Sequence, residues 1–176
     1  VLVFAMTAQS RRLRDMAITD SLTGVFNRRY LELQAVKALQ DWERYRRPVS
    51  LLLLDLDHFK RVNDKFGHAI GDAVLQRLVN LIQQRIRKVD TLCRFGGEEF
   101  MVLLSETTAQ KARYVAEELR TAVEREKLLP EDSMTVSVGV CDVTQVQDME
   151  HWFKLVDAAL YQAKHNGRNR VEMAVP

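Results

Sequence analysis

With 176 residues, the chain has room for one domain and a short extension. Hydrophobic residues make up 47%, enough for a sizeable core, and 26 basic against 24 acidic side chains leave a net charge of +2. That balance argues against nucleic-acid partners, which call for a strong basic excess or stripe. The two cysteines, Cys93 and Cys141, lie in apolar strand-like runs, which predicts buried free thiols in a reducing compartment.

Val1 to Met6 is apolar but far shorter than the roughly 20 residues that span a bilayer. Arg11, Arg12 and Arg14 follow. The pattern fits the cytoplasmic exit of a transmembrane helix, or equally a helical linker from an upstream domain. The missing initiator methionine points to a fragment. Residues 1–18 therefore read as a helical connector and 19–176 as the domain proper.

Asp20-Ser21-Leu22-Thr23-Gly24 is a turn or cap signal. Asn27 to Arg46 predicts a helix with Tyr30, Leu31, Leu33, Val36, Leu39 and Trp42 on its apolar face, closed before Pro48. Val49 to Leu56 is a strand, and its leucine run, Leu51 to Leu54, predicts burial on both faces at the centre of a sheet. Asn63 to Gly71 reads as a polar segment, with Asp72 capping a helix that carries Val74, Leu75, Leu78, Leu81, Ile82 and Ile86. Thr91–Phe95 and Glu98–Leu104 read as strands joined by a Gly96-Gly97 hairpin. A helix is expected over 107–129, ending at Pro130. Met134, Val136, Val138 and Val140 alternate as in a half-buried strand. Met149 to Asn166 predicts a helix stopped by Gly167, and a last strand is expected over 170–173. The order implies an α/β (α+β) fold, a mostly antiparallel central sheet flanked by helices, of ferredoxin-like or polymerase-palm-like type.

The chemistry concentrates at the end of the leucine strand. Asp55 and Asp57, two residues apart, can share a face, and bare buried carboxylates are costly without a cation. With Glu98 and Glu99 on the hairpin, oxygen ligands could converge from two strands in a way that suits magnesium. A solvated loop is the plain alternative for the aspartates alone. Taken by spacing only, Asn63 is a turn residue, His68 a surface imidazole and Asp72 an N-cap. Yet an Asn and an Asp also suit a guanine edge. Lys164 and Arg168 either complement a helix dipole or clamp phosphate. Arg87 and Asp90 read as an exposed ion pair near a helix end.

Taken together, Asp20-Ser21-Leu22-Thr23-Gly24 with Asn27-Arg28-Arg29, Asp55-Leu56-Asp57-His58-Phe59-Lys60, Asn63-Asp64-Lys65-Phe66-Gly67-His68, Gly71-Asp72, Gly96-Gly97-Glu98-Glu99-Phe100 and Lys164-His165-Asn166-Gly167-Arg168 resemble the motifs of the GGDEF diguanylate cyclases, in order, from about Asp20 to Met173. The resemblance implies condensation of two GTP into cyclic di-GMP with release of two pyrophosphates. It implies Mg2+, with Mn2+ as a substitute, held by Asp55, the Leu56 carbonyl and Glu98. Glu98, Lys60 and Glu99 would form the catalytic set, with Glu98 accepting the 3′-hydroxyl proton. Asn63, His68, Asp72, Phe59, Gly96, Gly97, Lys164 and Arg168 would bind GTP. Arg87 and Asp90 would form an inhibitory site for cyclic di-GMP, and the stretch around Arg120 is where a second arginine for it would fall. A homodimer, an upstream sensory or membrane region, and a cytoplasmic domain of a protein anchored in the bacterial inner membrane complete the expectation, in a bacterial signalling and biofilm setting. A non-catalytic GGDEF module sensing GTP or cyclic di-GMP is the alternative.

Overall fold

The computed structural model describes residues 18–129 and 131–175, so the proposed connector and Pro130 lie almost wholly outside the described residues. Six strands form one sheet in the order β1-β3-β4-β2-β5-β6. They are β1 (Phe26–Asn27), β2 (Ser50–Leu56), β3 (Thr91–Gly96), β4 (Glu99–Leu104), β5 (Val136–Asp142) and β6 (Val171–Met173). The central pairings β2–β4, β2–β5 and β3–β4 are antiparallel, and the outer β1–β3 and β5–β6 pairings are parallel. The helices are α1 (Arg28–Tyr45), α2 (Phe59–Phe66), α3 (His68–Gln83), α4 (Ala109–Arg125) and α5 (Met149–His165).

The leucine run does what its composition implies. Every residue of β2 is buried, because helices cover both faces of the sheet. Leu52, Leu54 and Leu56 join the layer under α2, α3 and α4. Leu51 and Leu53 join the layer under α1 and α5, with both cysteines. Burial pushes the thiols of Cys93 and Cys141 up to about 12, so both stay protonated and inert.

Several expectations shift. On α1, Leu31, Ala35 and Ala38 are buried, whereas Leu33 and Val36 are exposed. The α1 stripe is thus narrower than its apolar content suggests. Asn27 caps the helix and Arg46 closes it with a left-handed backbone. The polar segment 63–71 is helical. Asn63 lies within α2, and α3 starts at His68, so Asp72 sits inside α3 rather than capping it. Gly67, with φ 86°, makes the break between the two helices. α4 stops at Arg125 because Leu128 and Leu129 turn inward to the core. β5 is buried on both faces rather than one, since α4 and α5 cover opposite sides. Gly139 permits this: a Cβ there would stand 2.4 Å from the Val156 carbonyl oxygen of α5. That close approach brings the end of α5 over the end of β2.

Candidate active site

Asp55 pairs across the sheet with Glu99 of β4 on one side and Ser137 of β5 on the other. Directly opposed residues project to the same face, so Asp55 and Glu99 stand side by side under α5. Lys164, on the last turn of α5, reaches down and donates from Nζ to Asp55 Oδ2 at 2.6 Å. Glu98 occupies the adjoining turn. The hairpin corners are Gly97 and Glu98, with Gly96 still paired to Glu99, so the turn is displaced by one residue from the Gly96-Gly97 expectation. Gly97 takes the left-handed φ of 44° that the turn requires.

Negative charge is in surplus here. Burial raises the Asp55 pKa, and the charges of Glu98 and Asp57 raise it further, against the opposing pull of Lys164. Burial also raises the Glu99 pKa, with Asp55 adding to it. One ammonium does not neutralise three neighbouring carboxylates. The donor set therefore suits a cation: Asp55, Glu98 and the Leu56 carbonyl are hard oxygen ligands of the kind magnesium takes. Among the described residues no three acidic, His or Cys side chains close on one point. Water and substrate phosphate would have to complete the shell, as is usual for magnesium.

Asp57 behaves differently. It accepts from Thr135 Oγ1 and Ser137 Oγ, both at 2.7 Å, and from the Asn169 backbone at 3.0 Å. Its lone pairs are spent on the fold, so the two aspartates of this segment have separate employments.

Between α2 and α3, the Asn63 side chain lies against Gly71, where an added Cβ would stand 1.9 Å from Asn63 Oδ1. The Asn63 amide thus sits beside the turn of α3 that carries Asp72. His68, Asp72 and Lys60 are exposed around it. The Phe59 ring is 6% exposed and belongs to the core, so a ligand would meet its backbone rather than its ring. Arg168 is exposed just beyond α5.

On another part of the surface, Arg87 and Asp90 close a turn on themselves. Asp90 accepts from the Arg87 backbone at 2.8 Å, from Arg87 Nη2 at 3.0 Å and from the Ser105 backbone at 3.1 Å. Arg87 Nη2 also donates to the Ser105 carbonyl at 2.5 Å and Thr107 Oγ1 at 2.9 Å. The Asp90 side chain is 2% exposed against 55% for Arg87. The pair is more than the exposed ion pair its spacing suggests: it ties the end of α3 to the end of β4. Arg85 and Lys111 line a cavity beside it. Arg120 points elsewhere, to Glu117, Glu124 and Asn169.

Residues 17–170 match the family described as diguanylate cyclase, GGDEF domain. The chain belongs to the GGDEF family. It is 37% identical over 172 residues to the probable diguanylate cyclase DgcC of Escherichia coli strain K12, covering 96% of this chain and 46% of DgcC. It is 39% identical over 167 residues to the response regulator PleD of Caulobacter vibrioides strain NA1000, covering 89% of this chain and 36% of PleD. The chain thus spans less than half the length of these curated relatives. The crystal structure of the coiled coil and GGDEF domain of DgcB from Caulobacter crescentus, in complex with c-di-GMP, superposes with a TM-score of 0.92 at 29% identity, covering 98% of this chain and 93% of that one.

Within this GGDEF domain, sequence reasoning overlooked the residues that hold the hairpin. Arg94 Nε donates to the Gly97 carbonyl at 2.9 Å, and Arg94 Nη1 donates to Asp20 Oδ1 at 3.2 Å. Asp20 also accepts from the Thr23 backbone at 2.9 Å and from Thr23 Oγ1 at 2.7 Å. Burial works to raise its pKa, but these donors outweigh it and leave the Asp20 pKa lowered. The Arg28 guanidinium stacks over Phe95 at 4.5 Å from the ring centre, beside the same hairpin. A basic residue two positions before the glycine pair was the available signal for Arg94.

Proposed function

We propose that the chain is a diguanylate cyclase domain that condenses two GTP into cyclic di-GMP and two pyrophosphates. The observation that carries this reading is the uncompensated carboxylate group of Asp55, Glu98 and Glu99 beneath Lys164, at the turn that carries the family signature. Asp55, Glu98 and the Leu56 carbonyl would hold magnesium or manganese, which would supply polarisation of the α-phosphate and charge stabilisation at the attacking and leaving oxygens.

The chain's own residues do the rest. Asn63 and Asp72 read the guanine edge, with His68 and the Phe59 backbone beside them. Gly96 and Gly97 let the backbone approach the nucleotide closely. The 3′-oxygen of one GTP forms a bond to the α-phosphorus of the other, the bond to the β-phosphate bridging oxygen breaks, and pyrophosphate leaves. Glu98 takes the 3′-hydroxyl proton, with Glu99 supporting it. Lys60, Lys164 and Arg168 balance charge on the phosphates. Two such domains face each other to make both bonds, so dimerisation supplies proximity. Residues 1–18 act as the connector that brings 19–176 of two copies together, joined to a sensory or membrane-anchored region with the domain in the cytoplasm. The presence of a coiled coil together with a GGDEF domain in the DgcB structure supports the helical connector. Arg87 and Asp90 bind cyclic di-GMP as an inhibitor, once the Arg87 guanidinium turns from Ser105 and Thr107 toward the ligand.

The test is chromatography of GTP incubated with Mg2+ and the chain at high concentration, where mass action favours the dimer. One cyclic di-GMP for every two pyrophosphates, at a rate rising more than linearly with protein concentration, is expected. GTP binding with no product would favour the sensing module instead. Arg87→Ala should release the enzyme from inhibition by added cyclic di-GMP, and unchanged inhibition would return Arg87 and Asp90 to a purely structural role.

A further inference from the structure

After α5, three consecutive residues take positive φ: Gly167 at 117°, Arg168 at 62° and Asn169 at 45°. Glycine accepts this freely and asparagine readily, but for arginine the left-handed region is strained. Such a run persists only where its surroundings over-determine it. Here the surroundings are named. The Arg168 backbone donates to the Ala163 carbonyl at 3.0 Å, and the Asn169 backbone donates to Asp57 Oδ2 at 3.0 Å. The Asn169 amide is gripped at both ends: Arg120 Nη1 donates to its Oδ1 at 2.9 Å, and its Nδ2 donates to Glu124 Oε1 at 2.9 Å. Arg120 is itself fixed by Glu117 at 2.8 Å and Glu124 at 3.0 Å, and its side chain is only 19% exposed.

We propose that Asn169, clamped by Arg120 and Glu124 of α4, is a positioning residue that sets the turn from which Lys164 and Arg168 reach the nucleotide phosphates. The inference rests on the cyclase reading for the phosphate contacts. Lys164 stands on the last turn before this loop and Arg168 stands within it, so the direction of both arms follows from how the loop is anchored. One anchor is Asp57, beside the acidic edge. The other is α4, a helix that contributes nothing else to the site. A misplacement of about 1 Å in charged arms of this kind is enough to weaken phosphate binding severalfold or more.

Asn169→Gly keeps the left-handed backbone and removes only the amide, so it separates positioning from folding. Two readouts are taken on the full chain: binding of an α,β-methylene GTP analogue by calorimetry, and KM for GTP in turnover. The native unfolding midpoint should be kept while analogue affinity falls and KM rises about 10-fold. Arg120→Ala should give the same loss, and the double variant should be no worse than either single one. Asn169→Asp with Glu124→Gln, which exchanges donor and acceptor, should recover most of the affinity. Unchanged affinity and KM in Asn169→Gly, or simple additivity with Arg120→Ala, would overturn the proposal. Native chain that binds the analogue, shows the Asn169 effect and makes no cyclic di-GMP would fail the cyclase reading alone.

Discussion

The edge at Asp55 and the turn at Arg87 and Asp90 are both acid–base clusters, but they are balanced in opposite ways. Asp90 receives donors from both side chain and backbone, and every one of them is local or at a strand end. Asp55 receives one ammonium while Glu98 and Asp57 press against it and raise its pKa beyond what burial does. A saturated cluster stabilises the fold and asks for nothing more. An unsaturated one costs stability until a cation or phosphate-bound metal arrives. The comparison therefore separates a saturated knot, which the proposed inhibitor would have to reopen, from an unsaturated edge, which the proposed cation could join as it stands.

The contrast can be broken most severely at Asp90. Asp90→Ala would strand the Arg87 and Ser105 backbone donors and the Arg87 guanidinium, and should lower unfolding free energy by about 2–3 kcal/mol in denaturant titration. A loss under about 0.5 kcal/mol would mean the knot is ornamental. Gly71→Ala acts away from both clusters and tests the Asn63 side of the nucleotide site. The new methyl displaces the Asn63 amide and presses on the Phe59 ring, whose Cζ would lie 3.2 Å away, so KM for GTP should rise about 10-fold, or about 1.4 kcal/mol, while the unfolding midpoint stays or falls slightly. Unaltered kinetics would remove Asn63 from nucleotide recognition.

Glu99→Gln gives the smallest effect and the opposite sign to Asp90→Ala. The folded-state pKa of Glu99 is raised, so the folded chain holds its proton more tightly than the unfolded one. Its contribution to stability is then present in acid and lost as pH rises through the raised value. Removing the charge should stabilise the metal-free chain at neutral pH by less than about 1 kcal/mol, given the partial exposure. That gain should fade as pH falls through the range in which Glu99 protonates. Thermal melts of both forms from mildly acidic to neutral pH test this, and a gain that grows toward acid would reverse the assignment.

The sequence made some of this legible and hid the rest for physical reasons. The leucines of β2 announce burial on both faces because no polar residue interrupts them, and Asp55 marks where that burial ends. The hairpin was visible, but its register was not, since three polar or small residues could each serve as a corner. Alternating valines in β5 resembled a half-exposed strand, because Ser137 and Gly139 are small residues that a covering helix needs, not residues that face water. Asp57 read, with Asp55, as an acid that could share a face and a cation. Its partners Thr135, Ser137 and Asn169 lie 78, 80 and 112 residues away, beyond any local pattern. Asn169 was invisible for the same reason, being fixed by a distant helix. Gly71 stood in a motif, but the room it leaves for the Asn63 side chain could be read only from the packing of α2 on α3.

The central claim is that the unsaturated acid edge is the reaction centre, and Glu98 is the residue on which it turns. Cyclic di-GMP formation from GTP and Mg2+ should be measured for the native chain and for Glu98→Ala, with circular dichroism confirming that both are folded. A fall in turnover on the order of 10²–10⁴-fold with the fold intact is the predicted result. Full turnover by folded Glu98→Ala would contradict the account.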